Sequence, residues 1–88
     1  MTARIEKARR GTSFAIRMIG RVQSRHLDEL KAIIAEHGTP VTLDLEEVTL
    51  VDVEVVRFLI SCESRGMEVL NCPRFIRRWM IQEQSDLK

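Results

Sequence analysis

Between Val41 and Arg65 the spacing of apolar residues changes once, and this constrains the fold more than any other feature of the chain. Val41, Leu43 and Leu45 alternate with Thr42 and Asp44, the period of a strand with one buried face. From Val55 onward, Val56, Phe58, Leu59, Ile60 and Cys62 recur at helical spacing. Asp52 precedes that helix, where its carboxylate can accept an amide N–H that the first turn leaves unpaired. The pattern predicts a strand from Val41 to Leu45, a loop over Glu46 to Val51 and a helix from about Val53 to Arg65, ended by Gly66. A strand therefore hands the chain to a helix that must fold back onto it.

The other elements follow the same reasoning. Ile5 to Ala8 reads as an edge strand, Arg9 to Gly11 as a turn and Thr12 to Ile19 as a second strand, in which Phe14, Ile16 and Met18 form the buried side. Gly20 to Gln23 is a link. Ser24 is the expected N-cap of a helix reaching His37, with Leu27, Leu30, Ile33 and Ile34 inward, and Gly38 and Pro40 stop it. Met67 to Asn71 reads as a short strand. Pro73, at the first helical position, opens a last helix with Phe75, Ile76, Trp79 and Met80 on one face, and a polar tail from Gln82 frays.

The order is β-β-α-β-α-β-α, an α/β fold. Helical connections between the last three strands call for parallel pairing, and spatial order following sequence order puts all helices on one face of a four-stranded mixed sheet. Phe14, Ile16, Leu43, Leu45, Leu59 and Trp79 are the expected core. With 88 residues, the chain reads as one domain over 1–88, with 82–88 as the frayed tail.

Composition narrows the function classes. The chain is 44% hydrophobic and 31% charged with a net charge of +1, a globular rather than a disordered composition. Arg4, Lys7, Arg9, Arg10, Arg17, Arg21 and Arg25 face only Glu6 in the first part, whereas Asp44, Glu46, Glu47, Asp52 and Glu54 crowd the middle. This asymmetry reads as adjoining solvated faces. No basic run with interleaved aromatics supports nucleic-acid binding. No apolar run approaches the ~20 residues that span a bilayer, and Met1 to Gly11 lacks a signal peptide's apolar core, so the expectation is a cytoplasmic protein without membrane insertion.

Catalytic and metal chemistry find little support. His26 and His37 sit on one helix about 16 Å apart along its axis, too far to share an ion whose ligands lie at about 2 Å. His26 reads as an exposed first-turn residue and His37 as a last-turn one that suits the helix dipole. Asp44, Glu46, Glu47 and Asp52 match no calcium-loop spacing. Cys62 and Cys72 form no CxxC pair and read as small buried apolar residues, although Cys72, ahead of a helix, is the one candidate for a reactive thiol. No cofactor or metal is expected, and the chain is read as a non-enzyme. A small thiol- or metal-dependent enzyme is the outlying alternative.

The apolar arc of the Val53 to Arg65 helix spans about 200°, wider than the ~100° that one buried face needs. Either neighbouring helices cover the excess or part of it is a binding surface. Asp52, Val53, Glu54, Val55, Arg57 and Phe58 are the candidate protein-binding residues: Val53, Val55 and Phe58 supply an apolar centre, and Glu47, Glu54 and Arg57 a polar rim. Self-association through this patch is the alternative to a foreign partner.

The segment Leu43-Asp44-Leu45, then Val48, Leu50 and Asp52 at a helix start, then Gly66 and the Met67 to Leu70 strand resembles the STAS domain, the anti-sigma-factor-antagonist module. The likeness covers nearly the whole chain, including Ile16 to Val22. It implies a sheet-and-helix fold without enzymatic activity, whose surface around this helix start binds a kinase-type anti-sigma factor. In switchable members an Asp-Ser-Ser-Gly or Asp-Ser-Thr-Gly run opens the helix, and phosphorylation of the Ser after the Asp abolishes binding by adding roughly −1.5 to −2 charges. Here Asp52 matches the aspartate, Val53 the phospho-acceptor, Glu54 the second hydroxyl position and Val55 the glycine. Val53 has no hydroxyl, which implies constitutive binding. Thr49 and Ser61 are candidate displaced acceptors. The implied partner is an anti-sigma kinase-like ATPase. Alternatively the chain is the constitutive small subunit of a larger assembly, such as a lipid-transport ABC system with its transporter ATPase, or a stressosome-like scaffold.

Overall fold

A computed structural model describes residues 3–11, 13–37 and 41–86. The elements are β1 (Arg4–Arg10), β2 (Ser13–Val22), a 3-10 turn (Ser24–His26), α1 (Leu27–His37), β3 (Val41–Val51), α2 (Val53–Ser64), β4 (Glu68–Leu70) and α3 (Arg74–Asp86). The strands lie in the order β1-β2-β3-β4. β1 pairs antiparallel with β2, and β2–β3 and β3–β4 are parallel. Strand order thus follows chain order, the arrangement that puts all helices on one face of the sheet.

Ile16 and Met18 of β2 and Val41, Leu43 and Leu45 of β3 are buried, as are Leu30 and Ile33 of α1, Val55, Val56, Phe58, Leu59 and Cys62 of α2 and Ile76 and Met80 of α3. The intervening Ala15, Arg17, Thr42 and Asp44 are not buried. The helices therefore pack on one face of the sheet and leave the other to water. Four of the six expected core residues are fully buried. Phe14 and Trp79 are half-buried instead, and Phe75, expected beside Ile76 and Met80, is 45% exposed. Phe14 lies at the start of β2, where its ring stacks on that of His37, centroids 3.8 Å apart and planes 13° apart.

Local chemistry fixes the ends of α2. Asp52 is its N-cap, accepting from the Val55 amide at 3.1 Å. At the other end Gly66 takes φ 90°, the Gly66 amide donates to Glu63 O at 3.0 Å and the Met67 amide to Cys62 O at 3.0 Å, the paired bonds of a Schellman stop.

Several boundaries differ from the sequence reading. β2 continues to Val22, and β3 to Val51 where a loop was expected. β4 is shorter, Glu68–Leu70, because Asn71 turns away at φ 54°. Ser24 is not the N-cap: Gln23 caps the 3-10 turn, its amide donating to His26 Nδ1 at 2.9 Å. Pro73 stands just before α3, and its carbonyl accepts the Ile76 and Arg77 amides at 3.0 Å. The tail from Gln82 is helical to Asp86 rather than frayed, held in part by Glu83, which accepts from Arg57 Nε at 3.1 Å. The expected start of β2 at Thr12 and the stop at Gly38 and Pro40 lie outside the described residues.

Candidate protein-binding surface

The surface around the start of α2 is shaped by β3. Along β2–β3 the register runs Arg17↔Asp44, Ile19↔Glu47, Gly20↔Val48, Arg21↔Leu50. β3 thus gains one residue between Asp44 and Glu47 and another between Val48 and Leu50, which are two bulges. Inside the first, the Glu46 amide donates to Asp44 Oδ1 at 3.0 Å, so the side chain satisfies a backbone donor near the irregularity. Opposite the pair, Gly20 adopts φ 87°, a conformation that a residue with a Cβ rarely takes. Burial changes accordingly: Leu45, Val48 and Val51 are inward, and the two residues in each interval are exposed.

The second bulge re-aims Leu50. Period-2 alternation continued from Val48 would bury Leu50, but the extra residue moves the inward position to Val51 and leaves Leu50 48% exposed. Bulges bend strands and redirect side chains in this way. Leu50 emerges beside Arg21 across the strand pair and three positions before Val53; Thr49, next to it in the chain, and Glu54, at the start of α2, are exposed too.

Asp52 secures this corner from within. Besides capping α2, it accepts the Ser24 amide on Oδ2 at 2.8 Å, tying the α2 N-terminus to the turn after β2. Removal from water pushes its carboxyl up, but the amide hydrogen bonds from Ser24 and Val55 outweigh this and hold it below its ordinary value of 3.8. The anion is thereby matched to both donors and to the helix dipole.

The expected six-residue surface is only partly a surface. Val55 and Phe58 belong to the core at 1% and 7% exposure, because α2 is covered on that arc by the sheet and the neighbouring helices. Val53 is half-buried and Glu54 exposed. Arg57 is exposed but committed, bonding Glu83 of α3 and lying 3.8 Å from Glu54. A second clamp joins the same helices: Arg77 donates to Glu63 through both guanidinium arms at 2.8 and 2.9 Å, the two-pronged geometry that suits a carboxylate. Leu50 is the residue that sequence reasoning missed. The signal was present in the spacing of Leu45, Val48 and Val51, which is three rather than two.

The remaining candidates do not assemble a reactive centre. Among the described residues no group of three or more His, Cys, Asp or Glu side chains could hold a metal ion. Asp44 accepts from Asn71 at 3.2 Å, Glu47 pairs with Arg17 across the open sheet face, and Asp52 serves as a cap. Cys62 is fully buried, and desolvation pushes its thiol up to about 11. Cys72 is half-buried, and desolvation raises its thiol too, opposing the lowering expected ahead of a helix. Thr49 and Ser61 are both exposed. No helix among the described residues is long and apolar enough to cross a membrane. No family model matches the chain, and no curated protein matches it.

Proposed function

We propose that this chain is a non-enzymatic protein-binding module of the STAS type, acting in the bacterial cytoplasm, whose partner docks on the β3–α2 corner. The observation that carries the reading is Leu50: two bulges and a left-handed glycine turn an apolar side chain outward immediately before a helix start fixed by Asp52. Large side chains presented this way suit the centre of an interface, and Thr49, Arg21 and Glu54 supply its polar rim. Val53 at the phospho-acceptor position gives no oxygen to modify, so binding is constitutive with respect to the family's serine switch. That feature also favours a second reading, a permanent small subunit of an ATPase-containing assembly such as a lipid-transport ABC system or a stressosome-like scaffold.

The test is paired. Val53→Asp places an acid at a helix N-terminus that tolerates it and an unpaired charge in the docking surface. Thermal unfolding of the variant should be unchanged while its affinity for the partner isolated from the source cells falls. Phosphopeptide mapping of the protein from those cells should find no stoichiometric phosphate on Thr49 or Ser61. Unaltered affinity, or a phosphate on either residue that switches binding, contradicts the reading. An anti-sigma kinase as the captured ATPase favours the regulatory form, and a transporter ATPase the subunit form.

A further inference from the structure

The outer edge of β1 has no neighbouring strand among the described residues, since β2 occupies its other edge and the sheet ends there. A seven-residue edge offers a row of backbone donors and acceptors to another strand. Its two halves differ. Lys7, Arg9 and Arg10 charge the C-terminal half, as edges that avoid pairing usually are. In the N-terminal half Ala3 and Ile5 pack against the core yet stay only half-buried, and Arg4 and Glu6 stand on the opposite face 3.3 Å apart.

We propose that the edge from Ala3 to Lys7 is a self-pairing surface, in which β1 of one protomer joins β1 of a second copy antiparallel, about a two-fold axis at Ile5. The charge pattern selects both the occupant and the register. Two-fold antiparallel pairing sets residues of constant summed number opposite one another, so each choice of central residue fixes every pair. Centring on Arg4, Glu6, Lys7, Arg9 or Arg10 opposes that residue to itself, and centring on Ala8 opposes Lys7 to Arg9 twice. Like charges directly opposite are destabilising, and opposite charges or apolar pairs favourable. Of the seven residues of β1, only Ile5 as the centre opposes no like charges. Ile5 then meets Ile5 on the helix-covered side, Ala3 lies opposite Lys7, and Arg4 faces Glu6 twice on the open side. The apolar centre extends the existing core across the axis, and the two four-stranded sheets become one of eight strands.

Sedimentation equilibrium of the full chain over rising concentration tests this, with thermal unfolding of every variant as the folding control. The wild type should show a monomer–dimer equilibrium. Arg4→Glu and Glu6→Arg each place two like-charged pairs across the axis and should weaken the dimer by roughly tenfold. The double variant, with the two charges exchanged, should restore it. Lys7→Glu, opposite Ala3 in this register, should leave the dimer at wild-type strength, whereas a Lys7-centred register predicts a large change. Should either single variant fold poorly, the double variant and Lys7→Glu still discriminate. A wild type that stays monomeric to millimolar concentration overturns the proposal and leaves the edge either blunted or reserved for a foreign strand. Dimerisation indifferent to the single exchanges overturns it equally.

Discussion

Asp52 accepts the backbone amide of Ser24 at 2.8 Å, joining two segments that are 28 residues apart in the chain. The same carboxylate accepts the Val55 amide, so one side chain both starts α2 and sets its position relative to the turn that follows β2. Asp52→Ala should cost about 0.5–2 kcal/mol, the range for loss of an N-cap, and towards the upper end because the Ser24 amide also loses its partner. Equilibrium unfolding in denaturant measures it.

The acid dependence follows from the same geometry. Hydrogen bonding holds the folded carboxyl below its ordinary value of 3.8, so the unfolded chain binds the proton more tightly. Its stabilisation is therefore complete above 3.8 and is lost as pH falls through the depressed folded value. The stability gap between wild type and Asp52→Ala should be constant near neutrality and narrow below pH 3.8. A gap that widens on acidification contradicts the assignment.

Leu45 is 1% exposed, between the alternating part of β3 and its first bulge. Leu45→Ala should cost ~2–5 kcal/mol, combining lost transfer energy with the cavity left behind. A loss below about 1 kcal/mol would mean that the site collapses or that the side chain is not central to the core.

The α2–α3 clamps should be unequal. Glu63–Arg77 is two-pronged and half-buried, whereas Arg57–Glu83 is joined by one hydrogen bond. Double-mutant cycles should give about 0.5–1 kcal/mol for the first pair and less for the second, both falling with added salt. Equal coupling in the two cycles would show that geometry does not govern them.

Thiol labelling separates the two cysteines. Burial raises both thiols, Cys62 to about 11, and Cys72 is the more accessible. At neutral pH Cys72 should react slowly and Cys62 only on unfolding. Rapid native labelling of Cys72 would revive the reactive-thiol alternative.

The elements and their order were legible because most strands and helices announce themselves by period: Ile16 and Met18, Leu43 and Leu45, Val56 and Leu59 all lie inward as their spacing required. The candidate surface was read less well, for a local reason. Glu46 to Val51 looked like a loop because two inserted residues break the period-2 pattern, although the backbone pairing persists to Val51. The same irregularity that hid the strand turned Leu50 outward. The width of the apolar arc on α2 points to Val55 and Phe58 as surface residues, but a short helix between a sheet and a neighbouring helix is covered over more than one stripe. Ser24 looked like a cap by residue type. Its amide is instead a donor to the carboxylate of Asp52, a tertiary contact that no local pattern reports.

The most direct measurement of the central claim is the affinity of the partner isolated from the source cells for the wild type and for Leu50→Lys, with Glu29→Lys on the exposed side of α1 as the control for added charge. Leu50 is half exposed and outside the core, so its replacement should change the melting temperature little. If the β3–α2 corner is the docking surface, Leu50→Lys should lower the affinity by roughly tenfold or more, the equivalent of ~1.4 kcal/mol or above, while Glu29→Lys binds as the wild type does. Equal affinity of Leu50→Lys and wild type for that partner would contradict the account.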